Sequence, residues 1–435
     1  MKSFNNCWLD DYLPAGHTER STCGHHRENT GSGHKMQEFL AMHWDGYLSR
    51  NKVPLGKLKI MNSIKACKSG ELGYTITRCK SCGNTTMHAC GCGNRNCPSC
   101  GYLNEQKWIS QRQSEIIPGI PYYHMVYTLP HELLEIMYKN QKETLNLLFS
   151  SVKDTILTLS LDRLGMIPGI VMVLHTFGAD LSLHYHLHVL VSGGGLSPDK
   201  TQFIHCRDDK YFLPVKMVKD VYKGKFMDGL KGLRAAGRLE YTGCAEKYRN
   251  SYVFHELLES CYAHEWNVDV RRLAPASYEK EHISSDDGST DNVIGYFARY
   301  TNRTAISNSR ILHYDDKSIR FRYKSYDGSS YTMEEMELSP DEFIRRYLMH
   351  LLPSGFTRIR FAGFLACCIK NRNLALINCL LGYEYRKSPV HSMKASELIL
   401  YFYGRDIYLC DKCNCQLEIY LRVNKAALSY FIRDS

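Results

Sequence analysis

Two sets of residues in this chain have the types and spacing for chemistry at a phosphate. The first lies within residues 170–192. Leu181, Leu183, Tyr185, Leu187, Val189 and Val191 alternate with His184, His186 and His188, the period-two pattern of a strand with one apolar face. Residues 170–177 just upstream are apolar and largely β-branched, and Gly178-Ala179-Asp180 has turn chemistry. An antiparallel hairpin follows, on which His175 approaches His186 and His188. Imidazoles two residues apart on a strand can share one divalent ion. The pattern accommodates tetrahedral zinc as well as Mg²⁺ or Mn²⁺ orienting a phosphate.

The second set is Tyr296 and Tyr300, in a run of helical character that Asp291 or Asn292 can cap. Four residues apart, they share one helix face. A phenol beside a metal site can attack a polarised phosphodiester and hold the new 5′ end as a phosphotyrosine. Two phenols on one face allow two successive strand transfers without release of a free end.

A third signal is structural. Cys79-Lys80-Ser81-Cys82 and Cys97-Pro98-Ser99-Cys100 are two C-x-x-C knuckles fourteen residues apart. Paired knuckles predict a Cys₄ zinc site of Cys79, Cys82, Cys97 and Cys100, with Gly83 easing the tight turn. Cys67, His88, Cys90 and Cys92 remain as candidates for a second zinc. A further knuckle, Cys410-Asp411-Lys412-Cys413, lacks an obvious partner pair and reads as a degenerate ribbon.

The elements that position these groups are legible in outline. Helical spacing runs through residues 39–65, 102–116 and 131–164; strands are expected at 122–129, 211–215 and 266–273, and a hairpin at 318–338 turning at Asp327-Gly328. Gly193-Gly194-Gly195 is expected to end the histidine hairpin in a turn. His124 is expected to be structural. The acidic, Ser/Gly-rich stretch 279–292 reads as a mobile loop.

The chain as a whole narrows the function. At 435 residues it can hold two or three domains, and a net charge of +10 favours an anionic partner. Eighteen cysteines without a signal-peptide pattern argue for metal and free thiols over disulfides. No window approaches a membrane span of about 18 apolar residues, so a soluble, cytoplasmic protein without membrane partners is expected. Arg95, Arg299, Arg303, Arg358 and Arg360 are the candidate contacts to a nucleic-acid backbone.

His186-Leu187-His188 followed by Tyr296-Phe297-Ala298-Arg299-Tyr300 resembles the two-tyrosine, His-hydrophobe-His single-strand endonucleases. More closely, the chain is similar to transposases of the insertion sequence 91 family. The similarity runs through residues 92–100, 124–130, 175–196, 296–311 and 352–360, in family order. The resemblance implies an α+β fold, a central antiparallel sheet flanked by helices, with an N-terminal zinc-binding module and a mixed C-terminal region. It implies His175, His186 and His188 as ligands of a catalytic Mg²⁺ or Mn²⁺, with His184 behind them and Tyr296 and Tyr300 as nucleophiles. The expected organisation is a loosely ordered stretch at 1–36, a helical zinc-binding module at 37–116, a nuclease and strand-transfer domain at 117–312, and a DNA-contacting region at 313–435. The expected activity is nicking and rejoining of single-stranded transposon ends by a rolling-circle route, near the bacterial nucleoid. A replication initiator or relaxase of the same chemistry, or an inactive zinc-dependent DNA-binding derivative, are the alternatives.

Overall fold

The computed structural model describes residues 33–206, 212–273, 293–301, 303–327, 330–384 and 387–424. The expectations for residues 1–32 and for the 279–292 loop, and the side chains of Tyr296 and Arg299, lie outside the described residues.

The architecture is mixed α and β, with antiparallel sheets. Its twelve described strands are β1 (Gly73–Cys79), β2 (Thr85–Ala89), β3 (Tyr122–Thr128), β4 (Ile167–Phe177), β5 (Leu183–Leu196), β6 (Phe203–His205), β7 (Val268–Leu273), β8 (Ile311–Tyr314), β9 (Ile319–Asp327), β10 (Ser330–Leu338), β11 (Ile359–Gly363) and β12 (Leu417–Asn424). They form three sheets: β12-β1-β2, β10-β9-β8, and a central sheet β11-β4-β5-β3-β7 with β6 added to β5.

The histidine hairpin forms the middle of the central sheet, and strict alternation gives that sheet two different faces. Tyr123, Met125, Tyr127, Ile170, Met172, Leu174, Tyr185, Leu187 and Val189 pack on the helices Gln141–Leu164 and Val215–Ala235, through Leu148, Val152, Tyr222 and Phe226. Burial of this many large side chains, each worth about 1.5–3 kcal/mol, makes this the dominant core. The opposite face carries Tyr122, Val171, Val173 and Leu190, covered by Ile294 and Phe297 of the helix Val293–Thr301 and by Leu374 and Ile377 of the helix Lys370–Leu381. The histidines belong to this second face.

Three local expectations change. Gly193, Gly194 and Gly195 lie inside β5, not in a turn. A Cβ on Gly195 would come 2.4 Å from the Ile167 carbonyl oxygen, and one on Gly193 would come 2.8 Å from that of Pro121. Close backbone approach, not chain reversal, requires glycine here. Gly195→Ala is therefore expected to destabilise the protein by about 1–3 kcal/mol, read as a lower midpoint in urea unfolding. Leu181 leaves the alternation, standing at φ +64 in the hairpin connection while remaining fully buried. Among the described residues of the strand expected at 211–215, 212–215 form none: Phe212 and Leu213 make a buried bend, and Pro214, with φ −58 and no N–H for a ladder, starts the helix Val215–Ala235.

The chain also crosses the boundary expected at residue 312. β11 pairs with β4 from Ile359↔Val173 to Gly363↔Gly169, and β12 returns to β1 from Cys79↔Leu417 to Gly73↔Asn424. Among the described residues, no helix is long and apolar enough to cross a membrane.

Candidate functional site

Register brings the histidines together. His175 on β4 stands directly opposite His186 on β5, and Val126 on β3 stands opposite His188. The candidate ligand atoms of His175, His186 and His188 lie within 4.8 Å of one another. His175 and His188 are buried and His186 is half-buried.

Their second ring nitrogens are held. A carbonyl only accepts, so His186 Nδ1–H donates to the His184 carbonyl at 3.1 Å and His175 Nε2–H donates to the Tyr300 carbonyl. These bonds leave a lone pair on His186 Nε2 and His175 Nδ1. His188 Nδ1 and His124 Nε2 are 3.0 Å apart and share a proton, so a proton on His188 Nδ1 frees His188 Nε2. Burial makes protonation costly: it lowers His186 to about 3 and His124 to about 4, and pushes His175 and His188 well below the ordinary histidine value. Neutral, oriented imidazoles are the form that binds a cation. Exposed His184 supplies its backbone carbonyl to this network. His124 is buried against His188, its Nε2 within hydrogen-bond distance of His188 Nδ1, and so orients that ring.

The helix Val293–Thr301 lies over these rings. Tyr300 packs its ring 4.2 Å from that of His188 and 4.9 Å from that of His124, centroid to centroid. Tyr296 stands one turn earlier on the same helix. The helix ends in carbonyls that need donors. His175 satisfies that of Tyr300, and the Arg358 guanidinium donates to that of Thr301 at 2.8 Å and, beyond the helix, to the Arg303 carbonyl at 3.2 Å. The Arg358 carbonyl in turn accepts from Leu174 N–H at 3.0 Å, extending the β11–β4 ladder.

Arg358 was expected to track a nucleic-acid backbone, but its guanidinium is engaged by the helix, and burial lowers it to about 10. Arg358→Met is expected to cost about 1–3 kcal/mol of stability while leaving the salt dependence of DNA binding unchanged. A fall of about one in the salt slope would instead place Arg358 on a phosphate. Of the other arginines, Arg303 is exposed and close enough for its charge to depress His175, His186 and His188. Arg95 donates to the Phe356 carbonyl at 2.7 Å, and Arg360 bonds Asn146 and lies over the Phe149 ring at 4.0 Å.

The cysteines assemble differently from the pairing expected from spacing. Cys97 and Cys100 join Cys67 and Cys92, whereas Cys79 and Cys82 join Cys410 and Cys413; in each group the sulfurs lie within 4.8 Å of one another. His88 and Cys90 belong to neither group. His88 sits across from Thr75 on the β1–β2 ladder, its ring 3.2 Å from Thr77 Oγ1, and Cys90 is exposed. In the first group Cys67–Cys100, Cys67–Cys97 and Cys92–Cys100 are 3.3, 3.7 and 3.8 Å apart. Metal–sulfur bonds of about 2.3 Å in a tetrahedron separate the sulfurs by about 3.8 Å, so this donor set suits zinc.

Comparison with known proteins places the chain among transposases. Residues 39–129 match a family described as "Transposase zinc-binding domain", and residues 169–373 match one described as "Putative transposase". A relative from Sinorhizobium fredii (strain NBRC 101917 / NGR234), named "Putative transposase y4qJ", is 32% identical over 392 residues, covering 88% of this chain and 94% of that protein. The "Transposase for insertion sequence element IS801" of Pseudomonas savastanoi pv. phaseolicola is 25% identical over 371 residues, covering 83% of this chain and 82% of that protein. No solved structure matches.

Proposed function

Because the chain belongs to the insertion sequence 91 family of transposases, we propose that it nicks and rejoins single-stranded transposon ends through 5′-phosphotyrosine intermediates. The observation that carries this reading is Tyr300, on a helix whose last carbonyls are tied to His175 and Arg358, with its ring against His188. The central sheet with its covering helices fits the fold expected of His-hydrophobe-His endonucleases.

His175, His186 and His188 would hold Mg²⁺ or Mn²⁺, which when bound supplies positive charge that polarises the scissile phosphate. The chain's own residues do the rest. Burial keeps the imidazoles neutral, and the tyrosine helix, with the Tyr300 ring against His188, would bring a phenol to the phosphate held there. The phenol oxygen forms the new bond to phosphorus, the P–O3′ bond breaks, and the phenolic proton leaves for solvent or the departing 3′ oxygen. The helix also carries Tyr296, one turn away, for the second transfer. Rejoining reverses the step: a 3′ hydroxyl attacks the phosphotyrosine and the phenol is restored. Arg303, exposed beside the histidines, would meet the anionic strand.

Cys67, Cys92, Cys97 and Cys100 would hold a structural zinc. Its ligands pack against Phe39, Trp44 and Tyr347 in one apolar cluster, so the metal supports the module that carries Arg95. The test is incubation with single-stranded oligonucleotides bearing the element ends and Mg²⁺ or Mn²⁺. A denaturation-resistant protein–DNA adduct with a free 3′ hydroxyl on the released strand is expected. Cleavage without an adduct would replace the tyrosine reading with water-mediated hydrolysis.

A further inference from the structure

We propose that Cys79, Cys82, Cys410 and Cys413 form a second structural zinc site, closing a zinc ribbon whose halves lie more than three hundred residues apart in the chain. Local geometry carries this inference. Cys79 Sγ is 3.4 Å from Cys413 Sγ, and Cys82 Sγ is 3.7 Å from Cys410 Sγ. These separations are too long for a disulfide, at about 2.05 Å, and close to the edge of a zinc–thiolate tetrahedron, at about 3.8 Å.

The two halves repeat each other bond for bond. In one, Gly83 N–H donates to the Cys79 carbonyl at 3.0 Å and Cys79 N–H to the Asn84 carbonyl at 2.8 Å. In the other, Asn414 N–H donates to the Cys410 carbonyl and Cys410 N–H to the Cys415 carbonyl, both at 2.8 Å. The fourth residue after each leading cysteine is left-handed: Gly83 at φ +69 and Asn414 at φ +59. Asparagine is the side chain that best tolerates this conformation after glycine. Each turn thus aims backbone N–H groups and two thiols at one point, the knuckle geometry that selects zinc.

Strand pairing brings the knuckles face to face. β12 leaves the second knuckle and runs antiparallel along β1, which ends at the first, with Cys79 opposite Leu417. Lys80 meets Glu418 at 3.3 Å, and the Arg78 guanidinium lies 5.6 Å from the Tyr420 ring centre. The region matched as a zinc-binding domain ends at residue 129, so half of this site lies outside it. The site is independent of the strand-transfer chemistry.

The experiment is zinc quantification combined with residue-resolved alkylation of the full chain. Exposure separates metal binding from burial here, because Cys82, Cys413 and Cys90 are all exposed. In the zinc-loaded protein Cys90 is expected to react at once, while Cys82 and Cys413 stay protected until a strong chelator is added. The double variant Cys410→Ser, Cys413→Ser is expected to lose one equivalent of zinc. In it Cys79 and Cys82 should become reactive while Cys67, Cys92, Cys97 and Cys100 stay protected. Cys82 and Cys413 reacting as fast as Cys90 in the unaltered chain would overturn the site without any variant needing to fold. An unchanged zinc content in the double variant would do the same.

Discussion

Replacing Tyr296 and Tyr300 together by phenylalanine is expected to abolish the covalent adduct, a loss of more than about 10⁴-fold of the kind seen when a nucleophile is removed. The substitution keeps the ring of Tyr300 against His188 and His124 and keeps the helix carbonyls of Tyr300 and Thr301 on their donors, because those are backbone groups. Thermal melting should therefore move by no more than the net worth of a hydrogen bond or two, about 1–2 kcal/mol. Each single variant should still form an adduct through the remaining phenol but fail to complete strand transfer, which needs two covalent steps. Adduct formation by the double variant, on a gel that resolves free from linked strand, would end the phosphotyrosine reading.

The second large effect concerns the histidines. His186→Ala and His188→Ala should each reduce nicking by about 10³-fold or more, while affinity for the single strand changes only a few-fold, since basic groups supply most of it. His188→Ala should also loosen Tyr300, which rests on that ring, so its melting temperature should fall further than that of half-buried His186→Ala. His184→Ala should do less harm than His175→Ala, because His184 contributes a backbone carbonyl that alanine retains. Nicking at the normal rate by both His186 and His188 variants would remove the metal from the mechanism. Acid should act on the same cluster. Free in the unfolded chain, these histidines take up protons near pH 6.5. Folded, His186 and His124 resist until about 3 and about 4. The unfolded state therefore binds more protons between those limits, and the metal-free protein should lose stability as pH falls from about 7 toward 4.

What could be read from the residues alone was whatever repeats at short range. Alternation placed His175, His186 and His188 on one sheet face, and a four-residue spacing placed Tyr296 and Tyr300 on one helix. Knuckles announce themselves by spacing too, but C-x-x-C specifies only a local turn. Which turn faces which is decided by strand pairing between β1 and β12, and the fourteen residues between Cys82 and Cys97 carry no trace of it. The same limit hid Arg358, whose role as donor to the tyrosine helix depends on β11 pairing with β4. A signal was present in one case. Gly193-Gly194-Gly195 directly follows an apolar strand, and glycine continuing a strand marks close backbone approach as readily as a turn. His124 had one as well: its place in a strand of apolar alternation put it on the same parity as Tyr122 and therefore on the histidine face.

The pairing of Cys79 with Cys413 across 334 residues also has a consequence in time. A ribosome adding about 5–20 residues per second delivers the second knuckle roughly 17–67 seconds after the first. Throughout that interval the nascent chain displays a half-built thiol pair and the unpaired edge of β1. The histidine hairpin and the tyrosine helix are synthesised in the meantime, so the candidate site exists before the ribbon can close. Closure then acts as a report on synthesis: a chain that stops short of Cys410 leaves the Cys79 and Cys82 thiols without their partners, whereas in a finished chain the four sulfurs gather within 4.8 Å of one another.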